Sequence, residues 1–194
     1  MLKPKLAIFA SGAGSNVDNL IRFAQKNPLF EPTIVVSNKA DAPVLQLAKS
    51  HGVPTLLIEK TDLLHPEKLL NTLASFEIDV VVLSGFLKKI PTELIQAYPN
   101  RIINIHPALL PHYGGKGMYG MNVHEAVIQN KEAFSGITIH LVNEKYDEGQ
   151  ILFQEKISVE TDETPESLAK RIHSLEHKFY PIVLTDYWHS LTSR

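Results

Sequence analysis

The chain has 194 residues, no cysteine, and a formal net charge of -2 from 19 basic and 21 acidic side chains. Without cysteine there is no disulfide framework, thiolate metal site or thiol nucleophile, and without a basic excess there is no electrostatic footprint for nucleic acid. The longest apolar runs are strand-sized, which predicts neither a membrane span nor a secretion signal, and the expectation is a soluble cytoplasmic protein with small-molecule partners.

The length suits one domain, residues 1–194, burying roughly 70% of the surface its unfolded chain exposes. KLAIFA, TIVV, TLLI, DVVVLSGF and RIINIH are short β-branched runs separated by stretches of helical spacing, the rhythm of a parallel sheet with crossover helices. In the first crossover Val17, Leu20, Ile21 and Ala24 share one helical face, and Asn27-Pro28 closes it. Residues 42–50 and 66–76 read the same way. After His106 the pattern changes: PALLPHYGGKGMYG is too rich in proline and glycine for a regular element, and MNVHEAVIQN is a helix. GITIHLV and ILFQEKISV lie too close for a parallel crossover and are expected to form an antiparallel hairpin. Thr164, Pro165 and Glu166 open a helix reaching Glu176, with 177–194 a second helical piece. The fold class is α/β: Rossmann-like, a mostly parallel sheet flanked by helices, with a C-terminal antiparallel hairpin.

Between the first strand and its helix lies SGAGSN. A strand, a Gly-x-Gly turn and a helix start gather unpaired N–H groups at the positive end of the helix dipole, which suits an anion. The P-loop is excluded for want of Gly-Lys-Ser/Thr, and the dinucleotide fingerprint fails because Val17 stands where a third glycine belongs. A site of single-phosphate size at Gly12, Gly14, Ser15 and Asn16 remains. The alternative is that the glycines only permit the turn and Ser15 caps a helix.

RIINIHPALLP carries the stronger signal. Alternation along a strand turns Asn104 and His106 to one side, at the carboxyl end of a sheet where ligand crevices form, and Pro107 holds the following backbone extended. In YDEGQIL, Asp147 occupies the connection between two strands, where composition alone reads it as a turn aspartate.

FASGAGSN, VLSGFLKKIP, INIHPALLP, YDEGQIL and SLEH, in that order from about residue 5 to residue 185, resemble the phosphoribosylglycinamide formyltransferase family. The resemblance implies transfer of a formyl group from 10-formyltetrahydrofolate, as co-substrate and without metal, to 5'-phosphoribosylglycinamide in purine biosynthesis. It implies a phosphate-binding half, about 1–100, and a catalytic and folate-binding half, about 101–194. By the same resemblance Asn104, His106 and Asp147 are catalytic, and Gly14, Ser15, Asn16 and Glu176 bind substrate. Folate lies along Leu87, Lys88, Lys89 and Ile90, Asn104, and the turn Asn143, Glu144, Lys145, Tyr146 and Asp147. Lys88 stands where family members carry arginine, which removes a planar fork from that contact.

The chemistry asks for the same residue types. An amine attacking a formamide carbon creates an oxyanion and a cationic nitrogen, so the site needs a donor at the oxygen and a route for the proton. Asn104 supplies the donor, and Asp147 beside His106 is expected to raise the imidazole pKa. Residues 113–120 are expected to form a lid. His-x-x-Glu-His at His173 matches a zinc-protease pattern but is short, and with nine histidines a chance match outweighs it. Rival readings are a formyltransferase acting on methionyl-tRNA, which would carry a further tRNA-binding domain, a formyltetrahydrofolate hydrolase with a regulatory domain before the first strand, and a non-catalytic binding module. A monomer or a homodimer fits equally.

Overall fold

The computed structural model describes residues 3–192. In chain order the elements are β1 (Lys5–Phe9), α1 (Ser15–Lys26), β2 (Glu31–Ser37), α2 (Pro43–Ser50), β3 (Thr55–Leu57), α3 (Lys60–Leu64), α4 (Glu67–Ser75), β4 (Val80–Leu83), α5 (Thr92–Ala97), β5 (Ile102–His106), α6 (Met121–Gln129), β6 (Phe134–Leu141), β7 (Ile151–Ser158) and α7 (Pro165–Thr192). They form one seven-stranded sheet of order β3-β2-β1-β4-β5-β6-β7. The first five strands by position pair in parallel, while β6 runs antiparallel to both β5 and β7. This is the predicted α/β architecture with its antiparallel end. Helices α3 and α5 were not separated in the sequence because five or six residues make too few turns for a periodicity to show.

Both faces of the parallel part of the sheet are covered, which is why strands such as β1 and β4 read as continuous apolar runs, whereas edge strand β7 alternates. Leu6 and Ile8 of β1 pack on one face with Val17, Leu20, Val44, Ile172 and Leu184, from α1, α2 and α7. Ala7 and Phe9, one residue out of step, pack on the other with Leu69, Leu73 and Leu94, from α4 and α5. Each fully buried Leu, Ile or Phe contributes about 1.5–3 kcal/mol of transfer free energy.

The sequence reading of two C-terminal helical pieces is corrected: α7 is one helix of 28 residues with Pro181 inside it. Proline has no N–H for the carbonyl four residues back, and that carbonyl, of His177, accepts a 2.8 Å hydrogen bond from Asn19 Nδ2 on α1. A neighbouring helix thus satisfies the group that a proline break would have left to water. Among the described residues no helix is long and apolar enough to cross a membrane.

Candidate active site

Strand order reverses between β1 and β4, and the crevice beyond the carboxyl ends of such strands is where open α/β sheets bind ligands. A cleft of about 750 Å³ opens there, a size that suits small-molecule ligands. Its walls bring together Gly14, Ser15, Asn16, Leu87, Lys88, Lys89, Ile90, Asn104, His106, Asn143, Lys145, Tyr146, Asp147 and Glu176. Of the residues singled out in the sequence, Glu144 does not line the cleft and is exposed.

The polar centre is compact. His106, 4% exposed at the end of β5, turns Nδ1 toward Asp147 Oδ2 at 3.8 Å and sets Nε2 2.7 Å from the carbonyl oxygen of Tyr113. A carbonyl only accepts, so Nε2 carries the proton and Nδ1 of the neutral ring is bare. Asn104 Nδ2 lies 3.1 Å from His140 Nε2 and donates at 3.4 Å to Asp147 Oδ1. His140 Nδ1 donates to the carbonyl of Leu141 at 2.8 Å, which leaves its Nε2 as the acceptor facing Asn104. Asp147, itself at φ 55, accepts the Gly115 N–H at 2.9 Å.

Burial lowers the His106 pKa below the ordinary histidine value, and the nearby Asp147 carboxylate and the Tyr113 carbonyl only partly offset it. The expected rise is therefore corrected: desolvation of a nearly enclosed ring outweighs a carboxylate 3.8 Å away. For Asp147, burial pushes the pKa up, but the rings of His140 and His106 and the Gly115 N–H pull it below the usual carboxylate value. The Gly115 contribution acts at every pH, whereas the imidazoles pull fully only when charged.

At the glycine turn, Gly14 takes a left-handed conformation and the helix begins at Ser15 without a side-chain cap. Ser15 is thus the first helical residue, not the cap, and the first N–H groups of α1 face the cleft's end of the helix dipole. Asn16 Nδ2 donates to Glu176 Oε2 at 2.9 Å, while Asn16 Oδ1 is buried without a partner. Burial raises the Glu176 pKa, against the opposing effects of Asn16 and His173.

The formyl transferase profile matches residues 4–184, from the residue before β1 deep into α7. The chain belongs to the formyl transferase family. It is 45% identical over 92% of its length to the chloroplastic phosphoribosylglycinamide formyltransferase of Arabidopsis thaliana, of which it spans 63%. It is 34% identical to the phosphoribosylglycinamide formyltransferase of Bacillus subtilis over 93% of its own length and 92% of that protein. The crystal structure of the Brucella melitensis phosphoribosylglycinamide formyltransferase superposes with a TM-score of 0.86 at 34% identity, covering 96% of each chain.

Two histidines that line this cleft were given no role in it by the sequence reading. His140 lies one residue from the end of β6, opposite Asn104 in the β5–β6 register. His124, at the helix carrying HEAVI, lines the cleft with its Nδ1 buried and unpartnered. In the His-x-x-Glu-His stretch Oε2 of the Glu176 carboxylate accepts from Asn16, with His173 Nε2 3.9 Å away.

Proposed function

We propose that this chain transfers the formyl group of 10-formyltetrahydrofolate to the amine of 5'-phosphoribosylglycinamide, giving formylglycinamide ribonucleotide. The observation that carries the reading is the convergence of Asn104, His106 and Asp147 in the same cleft as the uncapped Gly14-Ser15-Asn16 turn. The names of the Arabidopsis and Bacillus relatives supply the acceptor and the group transferred; the folate donor comes from the resemblance of the motifs. Small-molecule substrates and a cytoplasmic setting belong to the same reading.

In it, the phosphate sits on the N–H groups of Gly14, Ser15 and Asn16, and Glu176 takes a sugar-side donor of the substrate. The folate spans Leu87–Ile90 and the turn 143–147, apolar at Leu87 and Ile90 and polar at Asn143. The substrate amine attacks the formyl carbon; a carbon–nitrogen bond forms and the carbonyl electron pair moves onto oxygen. Asn104 swings its longer, weaker hydrogen bond from Asp147 to that oxygen, a contact whose removal costs on the order of 3 kcal/mol. Collapse restores the carbonyl and breaks the bond to the folate nitrogen, which must gain the proton the amine loses. His106 Nδ1 and Asp147 are the two groups placed to carry it; the lowered Asp147 pKa keeps that carboxylate ionised and weakly basic, suited to relaying the proton onward rather than retaining it.

Tetrahydrofolate release, followed spectrophotometrically with phosphoribosylglycinamide as acceptor, tests this directly. His106→Ala and Asp147→Asn should still fold and unfold cooperatively, at a lower melting temperature, and lose about a hundredfold or more in kcat. Near wild-type turnover in either would end the assignment.

A further inference from the structure

We infer that Tyr113 is a positioning residue for His106: with its side chain pinned by Glu132 and Asn130, it presses its carbonyl onto the imidazole and leaves Nδ1 as the nitrogen that exchanges protons in the cleft. The inference rests on the role given to His106 above.

Tyr113 has φ 57, a left-handed conformation that a bulky side chain adopts only when its surroundings impose it. Those surroundings are visible. Its hydroxyl donates to Glu132 Oε1 at 2.7 Å and accepts from Asn130 Nδ2 at 2.9 Å. Both partners belong to the turn between α6 and β6, which is itself tied down by hydrogen bonds from the backbone N–H groups of Asn130, Lys131 and Glu132 to carbonyls of α6. The ring packs against the main core cluster. A continuous line of contacts therefore runs from the end of α6, through the phenol, to a carbonyl 2.7 Å from His106 Nε2.

The next two residues extend the same grip to the carboxylate. A Cβ on Gly114 would lie 3.2 Å from Asp147 Cβ and 2.6 Å from Leu110 Cδ2, so the chain passes Asp147 as closely as glycine permits. Gly115 then donates its N–H to Asp147. The charged and titratable groups facing His106 are Asp147, His140 on β6 and His124 on α6. They set how tightly the ring holds a second proton; the Tyr113 carbonyl fixes which nitrogen holds the first.

The test uses Tyr113→Phe and Glu132→Ala, with Glu132→Gln as the conservative variant that still accepts the phenol. Histidine is ¹⁵N-labelled and the ring tautomer of His106 is read by NMR at neutral pH, alongside kcat and KM. The wild type and Glu132→Gln should show the Nε2–H form. Tyr113→Phe and Glu132→Ala should show a mixture of tautomers, with kcat about tenfold lower and KM within about twofold. An unchanged Nε2–H signal in the two disruptive variants overturns the proposal, whatever happens to the rate. Should phosphoribosylglycinamide prove not to be the acceptor, the tautomer measurement still decides the role of Tyr113. Glu132 has an exposed side chain, so its variants give a folded protein even if Tyr113→Phe does not.

Discussion

Gly12 and Gly14 are indistinguishable in the sequence, yet the structure gives them different work. A Cβ on Gly12 meets nothing within 4 Å, whereas on Gly14, at φ 85, it would lie 2.4 Å from Val44 Cγ2 and 2.8 Å from Val44 Cβ. Val44 is fully buried and its N–H is bonded to the Gly12 carbonyl, so it has no room to withdraw. Gly14→Ala is expected to lower stability by about 2–4 kcal/mol, from backbone strain and overpacking together. Gly12→Ala should change it by less than about 0.5 kcal/mol. Urea unfolding checks both, and equal effects would contradict the assignment of Gly14 as the tight position. His140 shows the same limit on what single residues disclose. A histidine in GITIHLV reads as one polar side chain on a strand; only the antiparallel register that sets it opposite Asn104 makes it part of the site. Asn104 and His106 were legible from the strand end they share, whereas Asp147, a turn aspartate by composition, was singled out only through the family resemblance.

Among elements, α7 departs furthest from its sequence pattern, and Asn19 is the reason. Proline inside a helix normally ends it, since the ring removes one hydrogen bond and crowds the preceding turn. Here the freed His177 carbonyl has a partner on α1, one turn beyond Asn16, whose own amide holds Glu176. The two asparagines thus bind α1 to α7 at successive turns, and the helix that carries Glu176 continues through Pro181 to residues that bury Leu184 and Trp188. Nothing in α7 alone announces this, because the deciding side chain lies some 160 residues away in the chain. Asn19→Ala should cost about 1–2 kcal/mol by leaving a part-buried carbonyl without its partner. In a Pro181→Ala background, where residue 181 regains its N–H, the same substitution should cost less than about half as much. Additive effects in the double-mutant cycle would show that Asn19 does not act through that carbonyl.

Across the whole molecule, the parallel rhythm was legible because strands covered on both faces are apolar throughout, and the hairpin because its connection is too short for a crossover. What the pattern leaves unspoken is the cost of building a cleft from buried ionisable groups. His124 is 3% exposed, its Nδ1 has no partner, and burial, reinforced by the fields of His173 and His106, lowers its pKa from 6.5 to about 4. Between those two values the unfolded chain takes up a proton that the folded chain refuses. Stability contributed by neutral His124 is therefore complete above pH 6.5, falls as pH drops toward about 4, and changes no further below it. Asp147 acts in a lower window: its folded value lies below 3.8, so its contribution persists above that and fades only as the carboxylate itself is protonated. His106 and His177 are also lowered, and they share the slope with His124. Replacing His124 should flatten the curve without levelling it. Allowing for solvent screening, His124→Asn is expected to remove about 2 kcal/mol of the stability difference between roughly pH 7 and pH 4.5. Urea midpoints of wild type and variant measured at both pH values give that difference directly, and parallel curves would mean that His124 is protonated in the folded protein and that another group supplies the acid sensitivity.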